Sequence, residues 1–583
     1  MGNTDHDRTA SIRQQLERVL ASSVFAHASR QSRFLRFVVE ETLAGRDDRL
    51  KGYTIGVEVF DRDAGFDPST DSIVRVEAGR LRAKLREYYE TEGRGDSIRI
   101  ELPKGGYAAR ISPPETHHDG NVPAGTRTVA VLPFVNLSDA SEDAYFADGL
   151  TDALINHLAR NRALSVTSFT SAMRFKRAAR SLADIADALG VDRVVEGTVL
   201  RAGRRVRVTA QLIDAATDHH LWAESFERDL TDVLAVQEDL ASAVSLALGV
   251  GLLGAEHGRR QVGIEAYEAN LLGRHYRTQL TAEALEKGIA CFRRALELEP
   301  DYAEAYAGLA GCYCSLGTLG VELRAPHDVL PQGMALARRA IELDERFVEG
   351  RAYLGIMLLK YAWDWDGARA QFERALALSP NDARALMQYS MYFETLGDHA
   401  RAIDLAVHAQ RVDPLSRPVN LNLGWQYHQA GEQALARSTL TQLTAIEAGF
   451  WGAWWALGHV HREAGEHERA VECMRRALEL PGGNTLPLEG LGHTLAVAGE
   501  RTAAEAIITE LQALPGYVSP YRIATVLAGL GRREAMYAQL ERAFDKRARS
   551  LAWLAVAREY RAYRDEAAFG DLLYRIGIPG HGR

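Results

Sequence analysis

The sequence predicts a multidomain chain: a small α+β module, then a small α/β domain, then an all-α solenoid of helical hairpins. Three observations lead there. A basic helical stretch followed by a hairpin signal closes the first zone, strand and helix patterns alternate through the second, and the third repeats itself with a period near 34 residues. At 583 residues the chain is too long for one core. Its composition, 46% apolar and 25% charged, is that of a soluble globular protein. No apolar run reaches the ~18 residues that cross a bilayer. The start, "MGNTDHDRTASIRQQ", lacks the apolar core of a signal peptide. The expectation is a cytoplasmic protein with no membrane contact. Cys291, Cys312, Cys314 and Cys473 are too few and scattered for a disulfide framework, and their helical spacing suits packing.

The first zone, residues 1–112, opens with helical patterns. "SIRQQLERVLAS" places Ile12, Leu16, Val19 and Leu20 on one face, and "RQSRFLRFVVEETLAG" does the same with Phe34, Leu35, Phe37, Val38 and Leu43. "TIGVEVF" is short and apolar, and "DRDAGFDPSTD" is a loop ending in Asp71, a good N-cap. From Ser72 to Glu90 the spacing is helical again. Projected at ~100° per residue, Ile73, Val74, Leu81, Leu85 and Tyr88 gather on one side. Arg75, Gly79, Arg82 and Arg86 gather on the other, with Arg80 and Lys84 at the border. Five cations against Glu77 leave a charge of +4 over twelve residues of a chain whose formal net charge is -9.

A solvated helix face mixes signs at i,i+4 spacing; this one does not. Gly79 sits among the cations at a helix-propensity cost of ~1 kcal/mol, where it removes bulk. Behind the helix come "SIRIEL", a turn at "PKGG" carrying Lys104, and "YAARI". A basic helix that fits a major groove, with a hairpin whose cationic tip reaches phosphate, is the pattern of a winged helix. The zone as a whole is neutral, residues 1–115 holding 19 Lys+Arg and 19 Asp+Glu, so the field rests on placement.

These residues resemble the winged-helix domain of OmpR/PhoB-type response regulators, with "RLRAKL" (Arg80 to Leu85) for its recognition-helix core and "KGGY" (Lys104 to Tyr107) for its wing turn. The resemblance implies double-stranded DNA as partner. Arg75, Arg82 and Arg86 would face the groove, Arg80, Lys84 and Lys104 would hold phosphates, and Gly105, Gly106 and Tyr107 would shape the wing. No phosphoacceptor receiver domain precedes the module. A single small module buries limited surface, which favours a homodimer on DNA.

A linker, residues 113–127, follows in "SPPETHHDGNVPAGTR". Residues 128–250 then read β-α-β-α-β-β-β-α. "TVAVLPFVNL" and "LSVTSF" are strands around the helix "YFADGLTDALINHLAR", Ser181 caps "SLADIADALG" and Gly190 stops it, and "RAGRR" joins two of three period-2 runs. "VAVLPFVNLS", "FADGLTDALINHLA" and "GVDRVVEGTVLRAGRRVRVTAQLIDAATDHHLWAESF" resemble the amino-terminal domain of TolB and the related domain of FlgO-like proteins. No activity attaches to that domain type; the same domain followed by helical repeats also occurs behind nucleotide cyclase domains. His219 and His220 are adjacent, and adjacent strand residues point to opposite faces, so they make a poor chelate.

In the last zone Pro300, Glu345, Pro380, Pro414, Ala448 and Gly482 align, at intervals of 45, 35, 34, 34 and 34. Gly397, Gly431, Gly465 and Gly499 each precede an alanine (Ala402, Ala436, Ala470, Ala504) by five residues. A 34-residue period with small residues where helices touch is similar to tetratricopeptide repeats over residues 265–575. "GTLGVELRAPHDVLPQ" lengthens a helix pair or a loop in the first interval. The resemblance implies a concave groove for a protein or peptide partner. Trp363, Trp365, Trp425, Trp451 and Trp454 are either lining or, more in keeping with the repeat, packing knobs.

No phosphate loop, HExxH or GxSxG elbow occurs, and His459, His461 and His467 fall at ordinary repeat positions. The expectation is no catalysis and no cofactor. Together these readings describe a DNA-binding transcriptional regulator with a sensing or partner-binding solenoid. The alternatives are a protein-interaction scaffold and a non-catalytic component of a nucleotide-cyclase-type signalling system.

Overall fold

The computed structural model describes the chain apart from residues 1–2, 27, 44–45, 47–48, 64–65, 67–72, 94–95, 97, 103–106, 108, 113–126, 139–143, 160, 162, 177–179, 203–204, 230–232, 251–261, 319–323, 482–484 and 582–583. The side chains of 3–11, 75, 83, 86, 90, 110–112 and 233–234 also lie outside the described residues. The described chain forms two compact units, Met1–Val122 and Pro123–Arg583.

In the first unit α1 (Asn3–Ala21), α2 (Ser29–Leu43), α3 (Gly52–Phe60) and α4 (Ile73–Glu90) precede two short strands, β1 (Arg99–Glu101) and β2 (Arg110–Ser112). The expected apolar faces close one core. Leu16, Val19, Phe34, Val38, Ile55, Leu81 and Ile100 are all fully buried within it. The strands pair antiparallel, Ile100 opposite Ile111, so the expected hairpin is present, although its "PKGG" turn lies outside the described residues.

The second unit opens with a mixed sheet. Its strands are β3 (Arg127–Val131), β4 (Val135–Asn136), β5 (Leu164–Val166), β6 (Arg193–Ala202), β7 (Arg205–Asp214) and β8 (His219–Asp229), in the order β5-β3-β6-β7-β8 with β4 beside β6. "TVAVLPFVNL" is two strands rather than one, because Pro133 cannot donate to a ladder. β6 and β7 pair through to Ala202 opposite Arg205, a two-residue hairpin at "RAGRR". Around the sheet lie α5 (Ala144–Ala159), the short α6 (Phe169–Met173), α7 (Leu182–Leu189) and α8 (Val233–Ala247). Ser181 caps α7 by accepting from the Asp184 N–H at 3.2 Å, and Gly190 ends it at φ 67°.

Eight helical hairpins follow among the described residues. The inner helices are α9 (Ile264–Arg277), α11 (Ala303–Thr318), α13 (Val348–Met357), α15 (Ala383–Thr395), α17 (Arg417–Ala430), α19 (Trp451–Glu463), α21 (Thr485–Val497) and α23 (Pro520–Gly529). The outer ones are α10 (Ala282–Leu298), α12 (Pro326–Leu343), α14 (Trp365–Leu378), α16 (His399–Val412), α18 (Gln433–Ile446), α20 (His467–Glu479), α22 (Arg501–Ala513) and α24 (Arg533–Asp545). The repeat glycines Gly397, Gly431, Gly465 and Gly499 turn inner into outer helix at φ 71°, 86°, 77° and 90°, where a side chain would be strained. Ala402, Ala436, Ala470 and Ala504 are fully buried at the crossings. The long first interval comes from two longer helices, α11 with 16 residues and α12 with 18, and the segment between them.

The sheet domain and the solenoid share one core, running from Val129 to Ile578. Polar contacts follow the inter-repeat loops. Ser379 donates to the Ala159 carbonyl at 3.0 Å, the Leu415 N–H donates to Ser171 at 3.1 Å, and Arg174 donates to the Leu415 carbonyl at 3.1 Å. Arg274 of α9 pairs with Asp152 of α5.

The chain then turns back on itself. After α24 it forms two 3-10 turns, Arg549–Trp553 and Arg558–Tyr563, and a last helix α25 (Ala567–Ile576). Leu551, Ala552, Leu554 and Tyr560 are fully buried, each large apolar side chain contributing about 1.5–3 kcal/mol. These turns lie against the C-terminal ends of the inner helices. The chain's own residues 558–560 thus contact the inner helices, the side expected to receive a partner. Trp363 and Trp365 are buried and Trp425 stacks on Trp455 at 4.7 Å, so they pack.

Candidate nucleic-acid interface

α4 is held at both ends. At its C-terminal end the Tyr88 hydroxyl donates to Asp96 at 2.6 Å, and Asp96 also accepts from Gln15 at 2.5 Å and Arg18 at 2.7 Å of α1. Burial alone would raise the Asp96 carboxyl; these donors hold it below the ordinary range. Near its start, Glu77 is 2% exposed and accepts from Gln31 of α2 and, at 2.8 Å, from Arg80. The buried face is Val74, Glu77, Ala78, Leu81, Leu85, Tyr88 and Tyr89. The opposite face shows Val76, 46% exposed, with Gly79, Arg80 and Glu87.

Arg80 leaves the helix with 64% of its side chain exposed despite its bond to Glu77. A Cβ built on Gly79 would meet nothing within 4 Å. Packing within the protein therefore gives no reason for glycine at this helical position. Arg82, expected to face outward, and Lys84, expected at the border, both turn to main-chain carbonyls. Arg82 is half-buried and donates to the Leu102 carbonyl at 2.9 Å, and burial lowers its pKa. Lys84 donates to the Val24 carbonyl at 2.6 Å and lies 6.0 Å from the Phe25 ring. Both sit on the flanks of the buried stripe, where a main-chain carbonyl is within reach. The side chains of Arg75 and Arg86, and residues Lys104, Gly105 and Gly106, fall outside the described residues.

The strand pair is fixed to the helices. Tyr107 packs on the core with its ring 6.2 Å from Phe34, the Ala109 N–H donates to Thr42 at 3.0 Å, and the Ile100 N–H donates to the Tyr89 hydroxyl at 2.8 Å. Sequence reasoning missed Val76, whose helical position lies between the two groups it separated. It also missed the buried Glu77, whose burial no periodicity distinguishes from an exposed acid. His219 and His220 begin β8 and are exposed. Among the described residues no three His, Cys, Asp or Glu side chains converge as metal ligands would, and no helix is long and apolar enough to cross a membrane.

Residues 125–243 match the second domain of HilA/YgeH-like transcriptional regulators, the stretch read from sequence as TolB-like. Residues 452–484 match the tetratricopeptide repeat. A Rhizobium meliloti (strain 1021) protein named "Putative adenylate cyclase 3" is 37% identical over 187 residues, 31% of this chain and 32% of that protein. The chain thus spans about a third of the length of that curated relative. Among solved structures, human IFIT1 in a dimer with PPP-AAAA is similar over 59% of this chain and 77% of that one, at 18% identity and a TM-score of 0.38. Pseudomonas aeruginosa pilF is similar over 40% and 96%, at 18% identity and a TM-score of 0.29.

Proposed function

We propose that the chain is a transcriptional regulator whose first unit binds double-stranded DNA through α4 and the strand pair, while the solenoid receives a protein partner. The match of residues 125–243 to a transcriptional-regulator domain supports the cellular role. The observation that carries DNA binding is Gly79. It stands mid-helix with open space where a side chain would be, beside the exposed Arg80, so this stretch of the face is cleared for something outside the molecule. A major-groove surface fits, with Arg80 to phosphate or guanine and Val76 to a thymine methyl. Arg75 and Arg86 on the same helix, and Lys104 in the turn, would add contacts. Arg82 and Lys84 would contribute from the flanks with their remaining N–H groups, and Gly105, Gly106 and Tyr107 would shape the wing. A homodimer on DNA is part of the proposal.

The test is fluorescence anisotropy of a labelled genomic duplex with the full chain across salt concentrations. Affinity should fall steeply with salt, and Arg80→Ala should flatten the log–log slope by about 1. Gly79→Leu should weaken binding with the fold intact. Unchanged binding in both variants would leave the module to protein contact. A second reading rests on the adenylate-cyclase-named relative: the chain serves a nucleotide-cyclase signalling system. Cyclic nucleotide formation by the purified chain would establish catalysis that the first reading excludes.

A further inference from the structure

The turn Arg558–Tyr563 is bound to the groove in the manner of a ligand. Arg558 donates to the main-chain carbonyls of His428 at 2.9 Å and Gln429 at 3.0 Å, and to Glu463 at 2.7 Å. These carbonyls end α17, where the helix dipole is negative. Glu559 accepts from Arg462 at 2.5 Å and lies 3.4 Å from His459. The Tyr560 hydroxyl meets Thr525 at 3.1 Å. A base, an acid and an aromatic ring in succession are thus read by side chains of two inner helices, α19 and α23, and by the terminal carbonyls of a third, α17.

The entry to this segment is strained. Arg547 has φ 51° and stacks 4.4 Å from the ring of Trp363, itself at φ 56°. Two non-glycine residues in the left-handed region face each other here, and Trp363 ends a π-turn, Leu358–Ala362. Such features persist where surrounding structure over-determines them, and they cluster at switch points.

We propose that the inner groove is a polypeptide-binding site and that Arg558–Tyr563 is its resident, exchangeable occupant. The partner is a segment presenting a basic, an acidic and an aromatic residue in that order. This deepens the reading of the solenoid as the partner-receiving part and is independent of DNA binding by α4. The tethered occupant competes at an effective concentration in the millimolar range, so the folded chain resists free peptide until a partner outbids it or the occupant is loosened.

The probe is a fluorescent peptide of residues 555–566, added to the full chain. The wild type should bind it weakly. Arg558→Ala, which loosens the occupant and leaves the groove intact, should bind it at least about tenfold more tightly. Glu463→Ala loosens the occupant but removes a groove contact, and should gain nothing. An Arg558→Ala chain with native circular dichroism and melting but no gain would overturn the proposal, making the turn permanent structure. Should that variant not fold, amide exchange of the wild type decides. Opening of residues 557–564 more readily than α23 supports exchange, and protection equal to global unfolding refutes it. Duplex binding measured on the same variants separates the two readings: a chain that binds DNA and never the probe sinks only this one.

Discussion

Two arginine-rich runs of this chain have opposite fates. Arg75 to Arg86 carries five cations and one carboxylate, Glu77, and Arg549 to Arg564 carries four arginines and one carboxylate, Glu559. The first rides on a regular helix where Arg80 reaches back to the buried Glu77, yet 64% of the Arg80 side chain stays in solvent. The second meets the carbonyls that end α17 and the Glu463 carboxylate, and Arg558 is held by them. Counting charges in a sequence does not separate these cases. What decides is how many acceptors the fold brings within 3 Å of each guanidinium: Arg558 meets three and Arg80 one.

The sharpest way to break this contrast is to remove the acid from the inward run. Glu559→Ala leaves Arg462, with 7% of its side chain exposed, charged and unpaired. It should cost about 3–5 kcal/mol in urea unfolding. A loss no larger than that of a surface pair would mean the segment is loosely seated.

A smaller effect comes from pH. His459 faces Arg462, Glu559 and His428 and lies edge-on to the stacked rings of Trp425 and Trp455. Burial, then Arg462, push it down to about 3, against Glu559, which raises it. The unfolded ring takes its proton near pH 6.5. Between those values the unfolded state binds the extra proton, so acidification removes this ring's share of stability. The advantage of wild type over His459→Gln should shrink by roughly 2 kcal/mol from pH 6.5 to 5. A constant difference would place water at the ring. Buried carboxyls such as Glu394 and Glu489, raised by burial, titrate in the opposite sense, which is why the comparison is with the variant.

On the outward run, Gly79→Ala should stabilise the first unit by up to ~1 kcal/mol, since the added methyl meets nothing, while weakening duplex binding. Stability and binding moving together would remove the reason given for that glycine. Smallest of all, Glu17→Gln breaks the exposed pair with Arg36, whose side chains are 58% and 51% exposed. It should leave the unfolding midpoint unchanged within error.

The elements were legible where periodicity is strong. The repeat glycines predicted every turn they occupy, Ser181 and Gly190 bounded α7, and the apolar stripe of α4 lay where the projection put it. The direction of individual cations was not legible, because Arg82 and Lys84 bond to carbonyls at 102 and 24, distant in sequence. The groove's occupant was hidden for the same reason. "RSLAWLAVAREYRAYR" falls inside the span 265–575 assigned to the repeats, and nothing local says that it folds inward as two tight turns.

The return of the tail onto residues 358–363 also orders events during synthesis. A ribosome completes the repeat helices before it makes the stretch that packs on them, and Arg547 must find carbonyls 185 and 186 residues behind it. Until then the nascent array presents its interior to whatever is nearby, a slow, non-local closure of the kind chaperones guard.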